Sequence, residues 1–131
     1  MNRTLTTAAF AALTLAALSA GPAAADDPAK ELATAATHAG LAAGAPDLKA
    51  TQMHLHHVVN CLVGPNGQGY DKSNANPCNG QGAGGIPDTS GDKQAKLKSA
   101  VSKAQEGLAS TDVSQAKQAA TDAQGIIKSA M

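Results

Sequence analysis

The chain has 131 residues, with ten basic and ten acidic side chains, four histidines, two cysteines and 2% aromatics. A formal net charge of zero offers nothing to a polyanion or an acidic membrane surface, so a nucleic-acid partner is not expected. Helices filled with alanine bury little area each, so the expectation is one small domain whose thin core needs a covalent staple.

The first 25 residues read as a secretory signal peptide. Arg3 is followed by an apolar run over 8–18, a Gly21-Pro22 break, and Ala23-Ala24-Ala25 before the acidic Asp26-Asp27, the order that signal peptidase cuts. That run is shorter than the roughly 20 residues a membrane span requires, and no later segment is apolar enough to be one. The expected product is a periplasmic or secreted single domain, residues 26–131. Removing the leader takes away Arg3 and Phe10, which leaves Tyr70 as the one aromatic residue and nine lysines against ten acids.

Pro28 suits a first helical turn, and Leu32, Ala35, Ala36 and Ala39 follow at three-to-four spacing, predicting a helix over about 29–43. Gly44-Ala45-Pro46-Asp47 reads as a tight turn in which Gly44 stops one helix and Asp47 caps the next. The second helix, about 48–63, carries Leu48, Thr51, Leu55, Val58 and Leu62 as its core-facing stripe. So short a connection folds the two helices into an antiparallel hairpin.

From 64 to 91 the chain is crowded with Gly, Asn, Pro and Asp and has no periodicity, so it reads as a long loop. Loops of that length are unusual in a small domain unless tied down or functional, and Cys78 is the evident tether. Several cap residues between Asp88 and Asp92 precede Leu97, Ala100, Val101, Ala104 and Leu108, a third helix over about 92–108. Asp112 caps a fourth, about 112–129, with Val113, Ala116, Ala120, Ala123, Ile127 and Ala130 on one face. Gly40-Leu41 before Asp47-Leu48 faintly echoes Gly107-Leu108 before Asp112-Val113. The fold class is therefore all-α: two antiparallel hairpins forming a small four-helix bundle, with a Gly/Asn-rich loop tied by a disulfide.

The chemistry concentrates on Met53-His54-Leu55-His56-His57 and Cys61. On a helical wheel His54, His57 and Cys61 fall along one border of the apolar stripe, while His56 points to the far side. Residues equidistant from a turn centred near Ala45 lie side by side, so His38 levels with Gln52 and comes within about 3 Å of axial rise of His54. The second hairpin has no counterpart of this cluster. Two readings of the face stay open: a transition-metal site, or a partly buried helix whose histidines only hydrogen-bond.

For the metal reading the candidate ligands are His54, His57 and His38, with Met53 and His56 as further donors on the same segment. The Met53 thioether would favour copper, above all Cu(I), although a methionine here also reads as a gap-filler; imidazoles alone accept copper, zinc, nickel or cobalt. Cys61 would complete a His-His-Cys face as a thiolate. In an oxidising compartment it pairs instead with Cys78, and that disulfide is the expectation. Covalent haem lacks its Cys-x-x-Cys-His, and non-covalent haem lacks a wide apolar pocket. Di-iron chemistry needs Glu-x-x-His, yet neither Glu31 nor Glu106 lies three residues before a histidine. A Cys–His nucleophile needs a free thiol, and the loop glycines keep no phosphate-binding spacing, so no enzyme is expected.

With its exported, alanine-rich helices and the Met53-His54-Leu55-His56-His57 cluster, the chain resembles small periplasmic metal-binding helical bundles. That resemblance implies binding or buffering of copper or another divalent metal; with only four histidines the capacity would be one or two ions. The Cys61 and Cys78 elements have no place in the pattern. The functional expectation is an exported, copper-favouring metal-binding protein. The alternative is a non-catalytic module presenting the disulfide-pinned loop 64–91 to an envelope protein partner.

Overall fold

The computed structural model describes residues 26–131, so the expected signal peptide lies outside the described residues. Four helices follow in order: α1 (Pro28–Gly44), α2 (Leu48–Val63), α3 (Gly91–Ala109) and α4 (Val113–Ala130). There is no strand among the described residues.

Local chemistry accounts for the ends. Asp27, Asp47 and Asp112 each accept a hydrogen bond from the backbone N–H three residues on, those of Lys30, Ala50 and Gln115 at 3.0, 2.8 and 2.8 Å, satisfying one of the free donors of a helix start. The same cap therefore opens the second helix of each hairpin. Gly44 is not the stop that the sequence implied: it is the last helical residue of α1, without the left-handed backbone of a glycine terminator. Ala45 breaks the helix instead, turning extended at φ −62°, ψ 150°, because the ring of Pro46 disfavours a helical residue before it. At α3 the cap position falls to Ser90, whose side chain makes no capping bond. Asp88 is spent elsewhere, accepting from the N–H of Ala83 at 2.7 Å.

α1 packs on α2 and α4, and α2 on α3, closing a four-helix bundle around a buried core of Leu32, Leu55, Leu62, Leu97 and Ile127 filled out with alanines. The expected stripes are buried, Leu32, Ala35, Ala36 and Ala39 on α1 and Thr51, Leu55, Val58 and Leu62 on α2, except that Leu48, in the first turn of α2, is only partly buried. Small alanine faces let the backbones approach, which is what brings one helix's histidine within reach of the next. No described helix is long and apolar enough to cross a membrane.

The loop over 64–90 is held by more than its disulfide. Cys61–Cys78 is formed, with an S–S distance of 2.06 Å and Cα atoms 5.1 Å apart. Asn60, fully buried, accepts from the N–H of Asp71 at 2.8 Å and its amide donates to the carbonyls of Asp71, Asn74 and Ala75 at 2.9–3.2 Å. Buried Glu31 of α1 accepts from the N–H of Gly84 at 2.9 Å. The loop in turn supplies the end of α2, the N–H groups of Gly85 and Ile86 donating to the carbonyls of Cys61 and Leu62, which otherwise lack partners at a helix C-terminus. Gly64 (φ 69°) and Gly84 (φ 127°) make this pass possible. A Cβ on Gly84 would lie 2.6 Å from the Gly64 nitrogen.

Candidate metal centre

His38 projects from α1, and His54 and His57 from the facing side of α2, one turn apart. All three are half-buried along the α1–α2 seam. His38 Nδ1 lies 3.3 Å from His54 Nδ1 and 3.3 Å from His57 Nδ1. One ring nitrogen from each of the three lies within 4.8 Å of the others. The rings stand tilted or edge-on, with centroids 4.9–5.6 Å apart, so they converge on their nitrogens rather than stacking face to face.

Two geometric facts bear on what the cluster does. Nitrogens held 2.0–2.1 Å from one ion at the tetrahedral angle stand about 3.3–3.4 Å apart. The two His38 contacts already have that spacing. Hydrogen bonding accounts for the arrangement less well. A ring nitrogen carries either one N–H or one in-plane lone pair, so His38 Nδ1 makes one well-directed bond and not two. A cation gathers all three lone pairs at once.

The electrostatics favour neutral rings. Burial pushes His38 down from 6.5 to about 4, helped by the positive potential of His57 and His54. His57 is lowered chiefly by burial, then by His54 and His56. At neutral pH His38 and His57 therefore present lone pairs without first losing a proton, as coordination requires. No carboxylate or thiolate joins the group among the described residues. Cys61 cannot, because its sulfur is in the disulfide.

The other two candidate donors lie apart. His56 faces the loop and pairs with Asp71, Nδ1 to Oδ2 at 3.3 Å. Met53 is 43% exposed, and with His56, Asp47, Lys49, Gln52 and Asn74 it lines a shallow depression that does not include the three clustered histidines. Asp71 is itself fixed: its carboxylate accepts from the Ser73 N–H and hydroxyl and from the Asn74 amide, and these bonds hold it down at about 2.

Sequence reasoning missed the groups that fasten the loop to the helices. Asn60 stands one turn from both His56 and His57 and orders the loop carbonyls, and Glu31 fastens the far end of the loop to α1. The available signal was a polar residue beside an apolar stripe, which does not announce its partners. No protein-family profile, curated protein or solved structure matches the chain. The reading of the centre therefore rests on its own geometry.

Proposed function

We propose that this protein binds one divalent transition-metal ion through Nδ1 of His38, His54 and His57, in an exported setting and without catalysing a reaction. The observation that carries the reading is the pair of 3.3 Å Nδ1 contacts converging on His38 from two turns of the facing helix. Imidazole ligands suit copper, zinc, nickel and cobalt, and the ordinary order of divalent affinities puts Cu(II) above Zn(II). Copper is favoured on that ground rather than through Met53, whose exposed position lends no support to a thioether ligand. The disulfide supports an oxidising compartment, periplasmic or secreted.

Isothermal calorimetry of the oxidised protein with Cu(II) and Zn(II) tests this. One dominant equivalent is expected, with His38→Ala, His54→Ala or His57→Ala weakening it by at least the roughly 10-fold to 100-fold that loss of an outer-shell partner of a ligand costs, and His56→Ala leaving it nearly unchanged. No binding beyond that of a histidine-free variant, or equal loss from all four substitutions, overturns it. The alternative, an interaction module built on the loop, draws on one observation: Val63, Gly69, Ile86, Pro87 and Val101 line an apolar groove between the loop and α3. It becomes the account if the calorimetry finds no site.

A further inference from the structure

The geometry points to a metal centre with an open coordination position that takes a small monodentate anion from solution, an inference that rests on the metal-binding reading above. Structural zinc sites close with four protein ligands, whereas a zinc ion held by three protein ligands, as in zinc enzymes, carries water or another exchangeable ligand in the fourth position. Here three imidazoles converge and no fourth His, Cys, Asp or Glu side chain joins them among the described residues.

The candidates for a fourth are engaged elsewhere. Asp27 and Asp47 cap their helices. Glu31 and Asp88 hold the N–H groups of Gly84 and Ala83. Asp71 is bound by Ser73 and Asn74 and faces His56. Cys61 is a disulfide half, and Met53 lines, together with His56, a depression that the three clustered histidines do not line.

Charge makes the same demand. Three neutral imidazoles contribute no negative charge, so a divalent ion in this half-buried seam keeps both of its positive charges, and leaving a charge uncompensated away from water is costly. An anion from solution offsets one of them. The three histidines are only partly buried, so solvent reaches them. They are not among the residues that line the depressions at Val63–Val101 and at Asp47–Asn74, and the ligand that the charge argument calls for is a small anion. Binding there is ligand exchange with solvent, with no protein bond made or broken.

The test uses the oxidised protein loaded with one Co(II) per chain and titrated with sodium azide at constant ionic strength, read by visible absorption. The expected result is a saturable shift of the d–d bands with isosbestic points, one azide per cobalt, while gel filtration shows the cobalt still on a monomeric chain. An unchanged spectrum with cobalt bound overturns the open position and leaves the metal site standing. Cobalt bound in a dimer whose spectrum ignores azide also overturns it, because the fourth ligand then comes from a second copy. Failure to bind Co(II), Zn(II) or Cu(II) at all removes the metal-binding reading itself.

Discussion

Glu31→Gln should make the protein more stable above neutral pH and leave it little changed in acid. Glu31 is 1% exposed. One carboxylate oxygen accepts from the Gly84 N–H at 2.9 Å, and the other has no hydrogen-bond partner. Burial, then the neighbouring Asp88 carboxylate, raises Glu31 from 4.5 to about 7, so through the mildly acidic range up to about neutrality it holds a proton. Glu31 titrates near 4.5 when unfolded, so between about 4.5 and 7 the folded chain binds more protons and this group's contribution to stability falls as pH rises. At 1.36 kcal/mol per pH unit the loss approaches about 3 kcal/mol above pH 7. The lowered His38 acts in the opposite sense, gaining stability as pH rises from about 4 toward 6.5, so the wild-type profile alone mixes two slopes. The difference between variant and wild type isolates Glu31. Glutamine keeps an acceptor for the Gly84 N–H and cannot ionise. Urea unfolding followed by circular dichroism, in the presence of a chelator, should show that difference growing from near zero at pH 4 to about 3 kcal/mol at pH 8. A difference that does not change with pH would refute a protonated Glu31 between the loop and α1.

Three further outcomes follow from the same contacts. The oxidised protein should show no titratable thiol, and reduction of Cys61–Cys78, which spans 17 residues, should lower stability by about 3 kcal/mol on the chain-entropy estimate, read by denaturant midpoint. Asn60→Ala should cost about 3 kcal/mol, because it strips partners from several loop groups at once, and limited proteolysis should then cut within 71–75 well before the helices. Asp71→Asn should leave metal affinity at the histidine cluster unchanged while loosening the loop, visible as faster backbone amide exchange at Ser73, since the Asp71 carboxylate accepts from the Ser73 N–H and the Asn74 side-chain amide and pairs with His56 but with none of the three clustered histidines.

Much of this architecture was legible in the residues, for identifiable reasons. Leu55, Val58 and Leu62 recur at helical spacing, which fixes the buried face of α2 and with it the border on which His54 and His57 stand. The connection of Ala45 to Asp47 is short enough that counting outward from it places His38 beside them, and the Nδ1 contacts realise that register. Two cysteines behind a stretch that reads as a secretory leader point to the disulfide. What resisted reading was contact between the loop and the helices. Glu31 sits among alanines and, as sequence, is indistinguishable from a solvated helix residue; only the return of Gly84 and Asp88 to α1 buries it. Asn60 likewise acquires its meaning from a segment without periodicity, whose path no spacing rule specifies. Glycine commonly ends a helix, which points to Gly44, but the steric demand of Pro46 acts one residue later, at Ala45.

The central claim is that His38, His54 and His57 coordinate one ion through Nδ1, leaving His56 out. Long-range proton–nitrogen NMR of the histidine rings, recorded on the oxidised protein before and after one equivalent of Zn(II), tests it most directly because it reports each ring nitrogen separately. The account predicts three metallated Nδ1 nitrogens, with Nε2 of the same rings protonated, and a His56 ring whose nitrogens do not move. Metallation of His56, coordination through Nε2, or four rings shifting together would contradict it.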